Sequence, residues 1–265
     1  MNEPFHTVEL SDPAYEYEDL RLATVKSRAL GRRADVSVWV PPVQQIGKLL
    51  ILLHGVYGSH WVWSQKAGVH RTARRMLLAG EIEPMVIVMP GDGLGSDSSG
   101  YLPHPDAEDA ERWIVDEVPA VARLAAPALR ADAEIAIAGL SMGGYGALRL
   151  GAKYAERFSA ISAHSAITDI SEFPHFVEEP LSGYLRCGPR ETLSAVYWLQ
   201  KHRGRLPKLR FDCGVDDCLI EGNRALHLAL QAEGIPHTYE EFAGGHGWLY
   251  WQKHVARTLR FASEH

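Results

Sequence analysis

A chain of 265 residues that is 46% hydrophobic and 23% charged can bury a substantial core, which excludes a disordered or low-complexity protein. The net charge of −6, with no long run of lysine and arginine, excludes a polyanion-binding surface and so a nucleic-acid partner. No apolar stretch approaches the length needed to cross a bilayer, so no membrane association is expected.

Three cysteines, Cys187, Cys213 and Cys218, are too few for a disulfide framework, and the step from Cys213 to Cys218 is not a zinc spacing. They read as small buried thiols in a reducing compartment. The first ten residues carry neither a basic n-region nor an apolar h-region. Together these features predict a cytoplasmic location.

In chain order, residues 21–28 and 35–40 read as two strands of an antiparallel hairpin. Val36, Val38 and Val40 alternate with Ser37 and Trp39, and Pro41-Pro42 stops the second strand. From residue 49 the pattern changes. Residues 49–53 form a continuous apolar run, as expected of a strand covered on both faces, and His54-Gly55-Val56-Tyr57-Gly58 follows as a loop. Residues 61–79 read as a helix whose arginines, between Arg71 and Arg75, form a solvated face. Residues 85–89 are the next buried run. Residues 106–126 read as a helix with Ile114, Val118 and Val121 on one face and a kink or break at Pro119.

Residues 134–138 are a buried strand and 158–163 another. Residues 165–207 break the rhythm with scattered prolines, glycines and aromatics, and read as a cap-like insertion over one end of the sheet. Residues 209–213 and 237–242 are strands. Residues 219–233 and 248–261 are helices, the last with Trp248, Trp251, Val255 and Leu259 on one stripe. This alternation predicts a single α/β domain with a mostly parallel sheet, helices on both faces and an N-terminal antiparallel hairpin. The loops after strands then gather at the carboxyl ends of the strands, where such sheets place their sites.

One of those loops is Gly139-Leu140-Ser141-Met142-Gly143, between an apolar strand and a helix rich in small residues. Strand, sharp turn and helix is the setting of a nucleophile elbow, which lifts a serine hydroxyl above the strand end. A serine alkoxide is not available at neutral pH without a base. His246, in Gly244-Gly245-His246-Gly247-Trp248 after the last strand, is best placed to supply one; His54 is the rival and suits support of the oxyanion loop better. The acid follows the strand 209–213, with Asp217 favoured over Asp216 and Asp212 pointing away within the strand. Two N–H groups must face the developing oxyanion, and the backbone amides of Val56 and Met142 are the candidates. His54, Tyr57, Trp63, His164 and Phe176 are candidate substrate contacts. For Trp63 packing beneath the oxyanion loop is the alternative reading. Phe173, His175, Phe176 and Tyr184 read equally as an acyl or alcohol pocket and as core of the insertion. Gly91-Asp92-Gly93-Leu94-Gly95 lacks the G-x-G-x-x-G spacing of a dinucleotide loop, and no metal motif such as H-E-x-x-H is present, so neither cofactor nor metal is expected.

These segments resemble the putative-esterase family of α/β-hydrolases, which includes esterase D, feruloyl and acetyl xylan esterases and the antigen 85 mycolyltransferases. Leu52-Leu53-His54-Gly55 with Gly58 and Trp63 is similar to its oxyanion segment. Gly139 to Ala147 is similar to its nucleophile signature, Cys213 to Leu219 to its acid loop, and Gly245 to Trp251 to its histidine segment. The resemblance covers almost the whole chain and implies an α/β-hydrolase fold, with the second aspartate, Asp217, as the acid. The chain departs from the pattern at 91–97, where the family carries an aspartate or asparagine and an aromatic, and at Cys218, where it carries an aromatic.

The expected function is a serine hydrolase that cleaves carboxylic esters or small thioesters through an acyl-serine. An acyltransferase using the same intermediate and a non-catalytic binding protein on the same scaffold are the alternatives. The partner is a small ester, and acyl group, leaving group and oligomeric state stay open at this stage.

Overall fold

The computed structural model describes residues 4–93, 95–105 and 108–264. Leu94, in the glycine-rich segment, and Asp106 and Ala107, at the predicted start of a helix, lie outside the described residues.

Among the described residues nine strands form one sheet in the order β1-β2-β3-β5-β4-β6-β7-β8-β9. The chain begins with β1 (Thr7–Leu10), β2 (Leu20–Lys26) and β3 (Arg33–Trp39), which pair antiparallel, so the expected hairpin is the inner part of a three-stranded edge. β1 went unrecognised because its four residues, half of them exposed, carry almost no apolar signal. Next come β4 (Ile46–Leu53), helices α1 (Val62–Gln65) and α2 (Val69–Leu78), and β5 (Met85–Pro90). The helix expected over 61–79 is two helices, because the backbone turns left-handed at Gly68 (φ 61°).

The helical stretch before the elbow is also interrupted. Helix α3 (Ala110–Arg112) widens into a π-turn over Trp113–Glu117 before α4 (Val118–Ala125). Pro119 has no N–H to return to the preceding turn, and the wide turn absorbs that loss. Strand β6 (Leu129–Leu140) leads into α5 (Met142–Lys153) and β7 (Ala160–His164) follows. Residues 165–207 contain α6 (Leu181–Leu185), α7 (Ala195–Lys201) and three 3-10 turns. The chain closes with β8 (Lys208–Gly214), α8 (Ile220–Ala232), β9 (Thr238–Phe242) and α9 (Trp248–Ser263).

β4 pairs parallel with β5 and β6, and parallel pairing continues through β7, β8 and β9. Each face is sealed by its own core. One packs Ile51, Ile137 and Ile161 against Trp113, Val121 and Leu148; the other packs Leu50, Leu52 and Ala138 against Val69, Val255 and Leu259. Because β4, β6, β7, β8 and β9 run the same way, the loops after Leu53, Leu140, His164, Gly214 and Phe242 emerge at one end of the sheet. No helix among the described residues is long and apolar enough to cross a membrane.

Candidate active site

Ser141 stands between β6 and α5 with φ 52° and ψ −118°, a conformation that costs a non-glycine residue about 1–3 kcal/mol. The turn is held on three sides. The Ser141 amide donates to the His164 carbonyl (2.9 Å), and the Ser141 carbonyl accepts from Tyr145 (3.0 Å) and Ile167 (3.1 Å). The backbone folds so tightly that a Cβ on Gly143 would lie 2.4 Å from the Leu53 carbonyl oxygen, so only glycine fits. Strain is concentrated at this end of the sheet: Tyr57, Tyr101 and Ser165 also have positive φ.

The loops after β8 and β9 deliver the other two groups. They are laced together by backbone bonds from Val215 to Phe242 (2.9 Å) and from Asp216 to Gly244 (3.0 Å). His246 Nε2 lies 3.0 Å from Ser141 Oγ. Its Nδ1 lies 3.0 Å from each carboxylate oxygen of Asp217. Asp217 is buried and also accepts from the Leu219 amide at 2.9 Å. Burial pushes its carboxyl up, but hydrogen bonding and charge interaction with His246, helped by the Leu219 amide, outweigh this and hold it below the usual carboxylate value. It is therefore ionised at neutral pH and able to stabilise an imidazolium. Asp216 is exposed and serves the turn. Asp212 is buried and points away from His246, as expected.

The imidazole is wedged between aromatics. Phe176, from the 165–207 segment, lies 5.0 Å from the His246 ring, and Trp251 of α9 meets it edge-on at 5.1 Å. The side chain of His246 remains 18% exposed, so the relay is open to solvent at that edge.

The loop after β4 is braced from beneath. His54 Nδ1 bonds the Gly55 carbonyl (2.7 Å), the Gly58 amide closes on the same carbonyl (3.2 Å), and Tyr101 Oη donates to the His54 carbonyl (3.0 Å). These bonds fix the backbone on both sides of Val56. Met142 is the first residue of α5, where an N–H has no intrahelical acceptor. Its side chain is drawn off to Ser98, whose hydroxyl donates to Sδ at 2.8 Å.

Several of the candidate substrate contacts are buried and bonded within the protein. His164 is fully buried and faces the interior, with Nδ1 within 3.0 Å of Asp212 and Nε2 2.7 Å from Thr258 Oγ1, so it does not line the cleft. Trp63 is buried and donates from Nε1 to the Leu53 carbonyl (2.9 Å), which is the packing alternative. His54 is buried as well, with Nε2 3.6 Å from Asp92 Oδ1, and its Nδ1 braces the loop after β4. Tyr57 is exposed on the rim near Asp97. Of the aromatic group within residues 165–207, Phe173 and Tyr184 are core and Phe176 alone reaches His246. Cys213 is buried, but Cys218 is exposed and Cys187 partly so, because both sit in loops; all three are free thiols. Among the described residues the one cluster with metal-ligand types is Asp217 and His246 with Cys218, their ligand atoms within 4.8 Å of one another. Both Asp217 oxygens and His246 Nδ1 are already spent on each other. Asp92, Ser98 and Tyr101, which contact the loop after β4 and Met142, went unnoticed in the sequence: single polar residues in an irregular loop have no periodicity to mark them.

Residues 27–210 match the family described as Putative esterase, a span that includes Ser141 and ends before Asp217 and His246. The chain belongs to this family. It is 30% identical, over 82% of its length and 84% of the relative's, to an acetyl esterase of Caldicellulosiruptor saccharolyticus. Among solved structures, a ferulic acid esterase is 26% identical with a TM-score of 0.78, each chain covered to 98%. The S-formylglutathione hydrolase of Staphylococcus aureus shares the fold at 20% identity, with a TM-score of 0.78 over 98% of this chain and all of that one. The protein is thus an α/β esterase that hydrolyses carboxylic esters as a serine hydrolase.

Proposed function

We propose that Ser141, His246 and Asp217 are the catalytic triad, and that the substrates are esters of small acyl groups, acetyl above all. The observation that carries the assignment is the unbroken relay from Asp217 through His246 to a serine held at φ 52°. Ser141 Oγ attacks the ester carbonyl as His246 Nε2 takes its proton. Asp217 stabilises the imidazolium and keeps Nδ1 protonated. The Val56 and Met142 amides receive the oxyanion. His246 then protonates the leaving alcohol, and a water activated by the same nitrogen releases the acid from the acyl-serine.

The acetyl preference is supported by the acetyl esterase relative, and by the Phe176 and Trp251 rings that crowd His246. The chain acts as a single α/β-hydrolase domain in which residues 165–207 form a cap-like insertion contributing Phe176 to the cleft. Three free cysteines fit a reducing compartment, and we place the protein in the cytoplasm.

The test is hydrolysis of a nitrophenyl ester series of increasing acyl length, with Ser141→Ala as control. Turnover that is highest for acetate and vanishes in the variant is the expected result. Turnover that survives the substitution overturns the nucleophile, and a maximum at long acyl chains overturns the acetyl preference. Product analysis with added alcohols reveals any acyl transfer.

A further inference from the structure

Away from Ser141, the loop before β2, the outer face of β2 and β3, and the start of α1 enclose a depression of about 430 Å³. Its walls carry exposed aromatic rings: Tyr15 is 88% exposed, Tyr17 71% and Trp61 44%. Leu20 and Leu22 add apolar floor. Isolated exposed apolar side chains are ordinary on a protein surface, but a group of aromatics around one concavity marks a binding site.

The backbone that carries the two tyrosines is held in place. Tyr15 ends a 3-10 turn (Pro13–Tyr15) capped by the Asp12 carboxylate, which accepts from the Ala14 amide at 2.9 Å. Tyr17 enters a tight turn closed by the Leu20 amide on its carbonyl (3.0 Å), and the two residues inside that turn, Glu18 and Asp19, are non-glycines with φ 53° and 61°. Such a turn favours glycine or asparagine, so holding it with Glu-Asp stores strain that the esterase chemistry does not use.

The polar lining selects the ligand. Glu16 and Glu18 lie in the wall, and each is matched internally: Glu16 by Arg21 Nε at 2.7 Å, Glu18 by Arg71 Nε and His70 Nε2, both at 2.8 Å. A cation or an anion therefore gains little. An apolar protein segment would strip water from both carboxylates, which is costly. A neutral polyhydroxylated ring instead lays its C–H face on an aromatic and replaces the displaced water with its own hydroxyls, using Gln65 and the His60 imidazole, whose Nδ1 is held by Ser37 Oγ at 2.8 Å. Trp61 is only five residues from Val56, so no more than roughly 18 Å of chain separates the depression from the oxyanion loop.

We infer that this depression is a binding site for a neutral oligosaccharide, the part of an acetylated oligosaccharide substrate that flanks the ester at Ser141. The link to the ester rests on the proposed function; the sugar site itself does not. Binding is therefore measured first without an ester, by titrating the Ser141→Ala protein with xylohexaose, cellohexaose and maltohexaose, and with hexagalacturonate as the anionic counterpart. Saturable binding of a neutral hexamer, weakened at least tenfold by Trp61→Ala and by the double variant Y15A/Y17A, with no binding of the acidic one, is the expected outcome. Failure of all three neutral hexamers to bind, or equal binding by the variants, overturns the site. So does self-association that Y15A/Y17A abolishes while no sugar binds, since the face would then be a protein interface. In the Ser141-containing enzyme, Y15A/Y17A raises KM five- to twentyfold for an acetylated form of the hexamer that binds, with kcat and nitrophenyl acetate turnover unchanged. A wild type inert toward nitrophenyl acetate would count against the esterase assignment alone.

Discussion

The molecule contains the same relay twice. At the mouth of the sheet, Ser141 meets His246 and His246 meets Asp217, each at 3.0 Å. Within the interior, Thr258 Oγ1 lies 2.7 Å from His164 Nε2, and His164 Nδ1 lies 2.9 Å from Asp212. Order, residue types and distances are nearly interchangeable. The surroundings are not. His164, Asp212 and Thr258 are fully buried, whereas His246 keeps an open edge. Arg210 closes the inner relay into a ring, donating to Asp212 at 2.6 Å and to Ser162 at 3.1 Å, with Ser162 2.6 Å from Thr258. Thr258 sits inside α9 in regular helix; Ser141 sits on a strained turn beside an amide at a helix N-terminus. A hydroxyl, an imidazole and a carboxylate in line are thus insufficient. Reaction also requires access, a hydroxyl raised out of regular backbone and free N–H groups where charge develops. The inner relay spends its hydrogen bonds tying β7, β8 and α9 together directly behind the His164 carbonyl that holds the Ser141 amide.

Deleting the two hydroxyls breaks the comparison most strongly. Ser141→Ala is expected to lower kcat on nitrophenyl acetate by about 10⁴–10⁶ and to abolish labelling by a fluorophosphonate, with little change in Tm. Thr258→Ala should keep kcat within a few-fold and lower stability by about 1–3 kcal/mol, because His164 Nε2 and Ser162 lose a buried partner. Labelling at Thr258 in the Ser141→Ala protein would show that the inner relay is reactive after all. Next in size come the carboxylates. Asp217→Asn removes the acceptor that fixes the tautomer of His246, and kcat should fall by about 10³–10⁴ with the fold intact. Asp212→Asn leaves Arg210 short of its closest counter-charge, and the loss should appear in denaturant unfolding as about 3–5 kcal/mol. Equal kinetic losses from the two asparagine variants would mean that the inner relay takes part in turnover.

The outer relay was legible in the sequence and the inner one was not, for a physical reason. Ser141, Asp217 and His246 each follow a strand, in glycine-containing loops whose spacing reflects what the backbone must do there. His164, Asp212 and Arg210 stand inside strands, where the alternation predicts burial but not which buried polar groups meet. Thr258 is an unremarked position in an amphipathic helix. The strands β2 to β9 and both sheet faces were readable from apolar runs. The fourfold strain around the cleft, the division of a helix at Gly68 and the burial of Trp63 and His164 depend on tertiary contacts that no local pattern records. Phe176 was one aromatic among several in an irregular segment, and only the packing of Phe173 and Tyr184 into the core singles it out.

Phe176→Ala sharpens the contrast at the open side, since the ring beside the inner imidazole, Trp63, lies farther off at 6.5 Å. Removing a ring 5.0 Å from His246 forfeits about 0.5–1.5 kcal/mol of aromatic contact and enlarges the cleft. The expected result is a three- to tenfold loss of kcat/KM on nitrophenyl acetate with a smaller loss, or a gain, on longer acyl chains. An unchanged chain-length profile would remove Phe176 from the acyl side.

The smallest effect is on stability in acid, and it separates the relays by charge. Asp212 is held well below the usual carboxylate range: burial works against its ionised form, but His164, Arg210 and Tyr250 more than compensate. Asp217 is lowered chiefly by His246. For a carboxylate whose folded value is depressed, the unfolded chain binds the proton first. Its contribution to stability is complete above the unfolded value of about 3.9 and is lost as pH falls through the lower folded one. Tm should therefore hold from pH 7 to about pH 5 as far as these two groups are concerned and decline below pH 4. Asp212→Asn lowers Tm at every pH but flattens the acid limb more than Asp217→Asn does, because the inner carboxylate has the stronger ionic partners. An acid limb equally steep in both variants would mean that Arg210 and His164 do not hold Asp212 ionised, and the ring behind Ser141 would be a neutral one.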